Sequence, residues 1–299
     1  MYTKRSPKRS VVRVPKVSGR ATPRSGRPSG RGLGGRLLIA LLIAGFALFS
    51  YFSSSSTNEI TGETQYIGIT QEQEIAMGLQ SEPQMIREFG GLAPDESAQA
   101  YVDEIGFKLV NAVPEVRDSG YEFDFHLLDD PETVNAFALP GGPIFITTAL
   151  FNRLETEGQL AGVLGHEIGH VVGRHSAERI AKQQLTEGLT GAVVIATSEN
   201  QDPNVAAARI AQMVGAFINM KYGREDELQS DELGVIFMAE AGYDPRALIG
   251  VMEILEEASG GASQPEFAST HPNPGNRIAR IEEAIAEAYP NGIPEGLEP

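Results

Sequence analysis

Apolar positions change their spacing along the chain, and each change marks an element. Sixteen consecutive residues, Leu37 to Phe52, carry no charge. As a helix they would run roughly 24 Å, a little short of the ~30 Å hydrocarbon core of a bilayer. Two stretches of helical period follow. Thr70-x-x-Gln73 forms a capping box ahead of Met77 and Leu79, with Pro83 breaking or kinking the helix before Ile86 and Phe89. Pro94-Asp95 opens the next, in which Ala98, Tyr101, Val102, Ile105 and Leu109 share a face. The period then drops to two. Tyr121 to Leu128 alternates, predicting a half-buried strand with His126 among its exposed polar residues. Val134 to Leu139 and Ile144 to Thr147 read as two strands joined by the tight turn Pro140-Gly141-Gly142-Pro143.

From Thr148 onward the pattern is helical. It predicts helices over about Glu155 to Arg174, Ser176 to Gly188, Asn204 to Lys221, Arg224 to Ala241, Pro245 to Ala258 and Asn276 to Ala288. The apolar patch Leu189 to Ala196 is too short to cross a bilayer, and Ser198 to Pro203 is a polar break. No internal repeat is visible. Residues 54–68 read as a linker and 291–299 as a flexible tail.

Charge divides the chain sharply. All eleven basic residues up to Arg36 precede the apolar run, and no acidic residue occurs before Glu59. The remainder carries 13 basic against 40 acidic residues. Residues 1–36, rich in Arg, Ser, Gly and Pro, are expected to be a disordered basic tail. Such a tail alone would suit nucleic acid, but the apolar run that follows changes the picture. Residues 37–53 are expected to be an uncleaved transmembrane signal anchor, with the tail cytoplasmic and the acidic part on the non-cytoplasmic side. A cleaved signal peptide ending near Ser53-x-Ser55, a buried core helix and a mitochondrial transit peptide remain alternatives. There is no cysteine, so a metal site must use His, carboxylate and water.

The candidate chemistry starts at His166-Glu167-Ile168-Gly169-His170. On a helix His166 and His170 sit one above the other and can share a divalent metal, while Glu167 reaches an attacking water from the side. Two histidines leave a third protein ligand to be found. His175 falls one residue short of the metzincin spacing and would point away on a continuing helix, so it reads as a helix-end or surface histidine. Glu227 and Asp231, four apart, put two carboxylates on one helical face. One could bind the metal and the other accept the spare N–H of a bound imidazole.

HEIGH, followed by YGREDELQSDELG, preceded by NAFALPGGPIFIT and trailed by THPNPGNRI, resembles one gluzincin family: that of HtpX, the CAAX prenyl endopeptidase, mitochondrial Oma and the periplasmic BepA/LoiP-type proteases. The resemblance spans about Ile69 to Ala288. It implies an α+β, mainly helical zincin (gluzincin) domain over 69–290, with a small β-sheet or hairpin beside the active-site helix. It further implies Glu227 as third zinc ligand, Asp231 behind it, and Asn135, Ala136, Phe137, Ala138 and Leu139 along the bound peptide. His271, on the stiff Thr270-His271-Pro272-Asn273-Pro274 loop, corresponds to a histidine that approaches the metal in BepA-like relatives. It could stabilise the oxyanion or occupy the water's position. Arg277 is expected to order this loop through a carboxylate.

The implied function is a zinc-dependent endopeptidase, with one Zn2+ per chain and Glu167 as general base, acting on exported or membrane-associated polypeptides, misfolded ones included. The membrane is its expected partner through the single N-terminal helix, and nucleic acid is not. A zinc-stabilised chaperone that holds unfolded clients without cutting them is the alternative. Its mark would be a Glu167→Gln variant that still works in cells.

Overall fold

A computed structural model describes residues 31–197, 221–259, 266–271 and 275–299. Most of the basic tail, the helix expected over 204–221 and the Pro272–Pro274 stretch lie outside the described residues. Helix α1 (Arg31–Ser53) leads into a two-stranded antiparallel ribbon, β1 (Ser55–Thr57) with β2 (Thr64–Tyr66). Then come α2 (Gln71–Glu88), α3 (Glu96–Ala112), the short α4 (Pro114–Arg117) and strand β3 (Asp124–Leu128). The hairpin β4 (Ala136–Ala138) and β5 (Pro143–Thr147) precedes the short α5 (Thr148–Phe151), then α6 (Glu157–Val172) and α7 (His175–Thr197). The chain closes with α8 (Arg224–Ala241), α9 (Ala247–Ser259), α10 (Glu266–Thr270) and α11 (Arg277–Ala288). The expected mainly helical fold with a small sheet is the fold observed.

Local sequence sets the boundaries. Thr70 and Gln73 form the capping box of α2 reciprocally, and Asp95 caps α3 through Ser97 and Ala98. Pro83 sits inside α2 without ending it. Helix α6 is buried on every side from Gly158 to Val172, apart from the half-buried Gln159, so it is the axis of the core. Around it pack α3, α8, α9 and the sheet, with Val102, Ile105, Leu109, Phe125, Ile144, Ile146, Leu164, Ile168, Phe237 and Leu248 almost wholly buried. Each such side chain contributes roughly 1.5–3 kcal/mol of burial free energy.

The sheet has the order β3-β5-β4, with β3 parallel and β4 antiparallel to β5. Strand β3 does not alternate as its sequence predicts: Phe125, His126, Leu127 and Leu128 are all buried. Helix α3 covers one side, and α2 with its Met85 the other, so both faces are enclosed. His126, expected to be exposed, is therefore buried.

Two segments expected to be loose are docked. In the 54–68 segment, Asn58 Nδ2 donates to Val172 O at 2.8 Å and Gln65 Nε2 to Gly173 O at 2.5 Å. These polar side chains satisfy carbonyls left open at the end of α6. In the 291–299 segment, Glu298 exchanges backbone hydrogen bonds with Gly242 and Asp244, and Pro299 O accepts from Gly158 N at 2.8 Å. The last of these engages an N–H of the first turn of α6, which has no intrahelical partner.

Helix α7 runs past the expected end near Gly188 to Thr197 and lies against α1. Tyr51 of α1 stacks on Tyr66 and lies near Lys182 and Glu178, whereas Ala47 meets Gly188. The two helices are thus antiparallel. The contact face of α1 is Ala40, Ile43, Ala44 and Ala47, while Leu37, Leu38, Leu41, Leu42, Phe46 and Phe49 remain exposed.

Candidate metal centre and active site

Small residues let α6 and α8 approach closely enough to share a site. A Cβ on Gly169 would lie 3.0 Å from the Cα of Ser230, and one on Gly234 would lie 3.2 Å from His166 N. A large side chain at any of these positions would separate the helices. At this spacing the i and i+4 histidines of α6 face Glu227 and Asp231, the i and i+4 carboxylates of α8.

The donors converge. His166 Nε2 lies 3.1 Å from His170 Nε2, and each lies 3.5 Å from an oxygen of Glu227. His271 Nδ1 lies 3.3 Å from His166 Nε2 and 3.1 Å from Glu227 Oε1. Ligands about 2.0–2.1 Å from a tetrahedral zinc stand about 3.3–3.4 Å apart. The distances among His166, His170, Glu227 and His271, 3.1 to 3.5 Å, are close to those edges, with a different Glu227 oxygen nearest each of His166 and His170, and all four residues are buried. An ion of zinc's size and preference for N and O donors fits this cage.

The proton positions follow from the surroundings. His166 Nδ1 donates to Asp231 Oδ1 at 2.9 Å, leaving Nε2 as a ligand. Arg277 clamps Asp231 with Nε on Oδ2 (2.7 Å) and Nη2 on Oδ1 (2.6 Å), and its Nη1 is 3.2 Å from Glu227. Arg277 thus orders the two carboxylates as well as the start of α11. His170 Nδ1 lies 2.9 Å from His175 Nδ1, and His175 Nε2 is 2.8 Å from Gln229 Oε1. If His170 keeps Nε2 free, its Nδ1–H donates to His175, whose own proton goes to Gln229.

His175 therefore corrects the sequence reading. It is buried rather than superficial, because α6 does not continue. Arg174 takes a left-handed φ of 56°, held by Glu74 and by Ile69 O, and this turns His175 back beneath His170. Two aromatic residues without a role in the sequence reading also belong here. Tyr222 stacks on His170 with centroids 3.9 Å apart and shares a hydrogen bond with Ser176, and Phe267 stacks on His271 at 4.4 Å.

Electrostatics follow the same geometry. Burial disfavours a charged His166, but hydrogen bonds to Asp231 and Glu227 outweigh it and lift the pKa to about 9. His170 moves far the other way, through burial and the neighbouring His166, His271 and His175. Burial alone would raise Glu227 and Asp231. His271 and His166 instead hold Glu227 below the usual carboxylate range, and Arg277 and His166 do so for Asp231. The cage favours positive charge at its centre. Glu167 differs: burial raises its pKa, only partly offset by His271 and His166, and neither of its oxygens has a hydrogen-bond partner. Its Oε1 is 3.6 Å from His271 Nε2.

Asn135, Phe137, Ala138 and Leu139 line one cleft with Met85, Phe89, Tyr222 and His271. Ala136 is buried on the same strand, paired with Ile146. Among the described residues strand β4 is an edge of its sheet, with one side free of strand partners.

Residues 96–285 match the profile described as Peptidase family M48. The chain belongs to this family. It is 30% identical over 256 residues to the beta-barrel assembly-enhancing protease of Escherichia coli K12, covering 81% of this chain and 50% of that protein. The mitochondrial metalloendopeptidase OMA1 of Schizosaccharomyces pombe is 29% identical over 273 residues, covering 90% of this chain and 77% of that one. The human mitochondrial metalloendopeptidase OMA1 is 28% identical over 254 residues, covering 81% and 48%. This M48 chain thus spans about half the length of several curated relatives it matches. The family found is the one its motifs resemble.

Proposed function

We propose that this chain is a zinc-dependent endopeptidase, anchored in a membrane by α1, with its catalytic domain on the non-cytoplasmic side. Its substrates are exported or membrane-associated polypeptides, misfolded ones above all. The observation that carries this reading is the tetrahedral cage of buried donors with the unpartnered Glu167 beside it. The words protease and metalloendopeptidase in the relatives' names support hydrolysis of peptide bonds. The anchor rests on the length and composition of Gly34–Ser53, its exposed leucines and phenylalanines, and the basic residues before it.

When bound, zinc supplies Lewis acidity toward the attacking water and the scissile carbonyl. His166, His170 and Glu227 would hold the ion, and Asp231 fixes the His166 tautomer. Strand β4 takes an extended substrate along its open edge, fixing the scissile bond over the cage. Glu167 accepts the water's proton and returns it to the leaving amine. Its raised affinity for a proton brings it nearer the operating pH. His271 Nδ1, 3.1 Å from Glu227 Oε1 and 3.3 Å from His166 Nε2, would compete with the attacking water for a bound ion.

Full-length protein in detergent tests this. Glu167→Gln is expected to keep its zinc and lose about 10²–10⁴-fold in hydrolysis of an unfolded casein substrate. Undiminished cleavage would sink the assignment. His271→Ala should raise hydrolysis, roughly tenfold for an occupant that holds its position about nine-tenths of the time. A fall instead would make His271 a helper of the reaction.

A further inference from the structure

A second cluster, on the side of the sheet that α2 covers, has donor spacings near those of the first. Strand period two puts Asp124 and His126 on one side of β3, and α2 brings Glu82 over them. Helix α2 is fixed there by Met85, which packs with Leu128, Leu139 and Phe145. His126 Nε2 lies 3.3 Å from Glu82 Oε1 and 3.6 Å from Asp124 Oδ2. The ring is about nine-tenths buried, yet its Nε2 has no hydrogen bond, since even the nearer oxygen misses the alignment for one. The three ligand atoms lie within 4.8 Å of one another.

We propose that Glu82, Asp124 and His126 form a second divalent-cation site. The two edges at His126 bracket the roughly 3.3–3.4 Å expected between ligands of one tetrahedral ion. An isolated ion pair would instead aim the imidazole N–H along a line to one oxygen. One imidazole with two carboxylates selects a transition ion such as Zn2+ or Mn2+ over Ca2+, which takes oxygen donors. Asp124 is half exposed, so the ion keeps water on that side and exchanges with solvent. Its ligands come from two elements, so it staples α2 to the sheet. His126 packs on Phe145, which stacks on Phe137 of the cleft wall at 4.8 Å. The staple therefore bears on the strand proposed to hold substrate.

Zinc counting on chelator-stripped, full-length protein tests the proposal, by titration calorimetry and by metal analysis after dialysis. Wild type is expected to bind two ions per chain, and His126→Gln and Asp124→Asn one each. Asp124 is exposed enough that its replacement leaves folding intact, and thermal unfolding checks this. Both variants should keep casein hydrolysis, whereas Glu227→Gln keeps only the Glu82 site. A single ion in wild type that persists in His126→Gln overturns the proposal, as do two ions in both site variants. A single wild-type ion lost in His126→Gln but kept in Glu227→Gln would support this site and strike the proposed function instead.

Discussion

Behind the two proposed ligand histidines the polar groups described are engaged. Asp231 takes two hydrogen bonds from Arg277 and one from His166, and His175 bridges His170 to Gln229. In front of them the pattern reverses. Both oxygens of Glu167 and Nε2 of His271 are buried without a hydrogen bond among the described residues. The desolvation cost of such groups is roughly 1–3 kcal/mol each, so an unengaged cluster implies a use for them. The back resembles a protein core built from charges, and the front a surface awaiting a reactant. Stability and chemistry are thereby assigned to different residues around one cage.

Mutation should separate the two. Asp231→Ala strips the partner from the buried Arg277 and is expected to cost about 3–5 kcal/mol in urea unfolding, with zinc affinity falling 10–100-fold. Glu167→Gln, on the front, should leave the unfolding midpoint nearly unchanged. A similar loss of stability in both would erase the distinction.

A smaller effect concerns the turn that delivers His175. Burial lifts the Glu74 pKa to about 6 despite its pairing with Arg174. The folded state thus holds this proton more tightly than the unfolded chain, whose carboxyl titrates near 4.5. The stabilisation is complete below that pH and lost as pH rises through 6. Wild type minus Glu74→Gln stability should therefore fall by up to about 2 kcal/mol between pH 4.5 and 6.5. A flat difference would mean that Arg174 neutralises the burial cost. The smallest expected change is about tenfold in zinc affinity for His175→Phe, measured by competition with a chelator. Unchanged affinity would remove His175 from the back of the cage.

The proposed ligand pairs were legible because helical spacing puts His166 with His170, and Glu227 with Asp231, on common faces. Their meeting was expected from the family resemblance, and the structure shows that Gly165, Gly169, Ser230 and Gly234 leave room for it. His175 was not legible. Its direction depends on one left-handed residue, Arg174, and periodicity carries no record of where a helix stops when the next begins at once. His126 was misread for another reason. Alternation reports burial only for a strand with one face in water, and from Phe125 to Leu128 both faces of β3 are covered. The docking of 54–68 escaped notice because two of its three buried residues, Asn58 and Gln65, are polar and bond to carbonyls at the end of α6, leaving Ile67 as the one buried apolar side chain.

The antiparallel packing of α7 on α1 bears on selectivity. Two residues separate α6 from α7, so no slack intervenes between the proposed zinc ligands and the helix that grips the proposed anchor. With α1 in a bilayer, the cleft is held at a constant height and tilt above the lipid. A substrate tethered in the same membrane would then be cut according to how far its chain reaches from the surface. The enzyme would act as a ruler, indifferent to much of the sequence it measures.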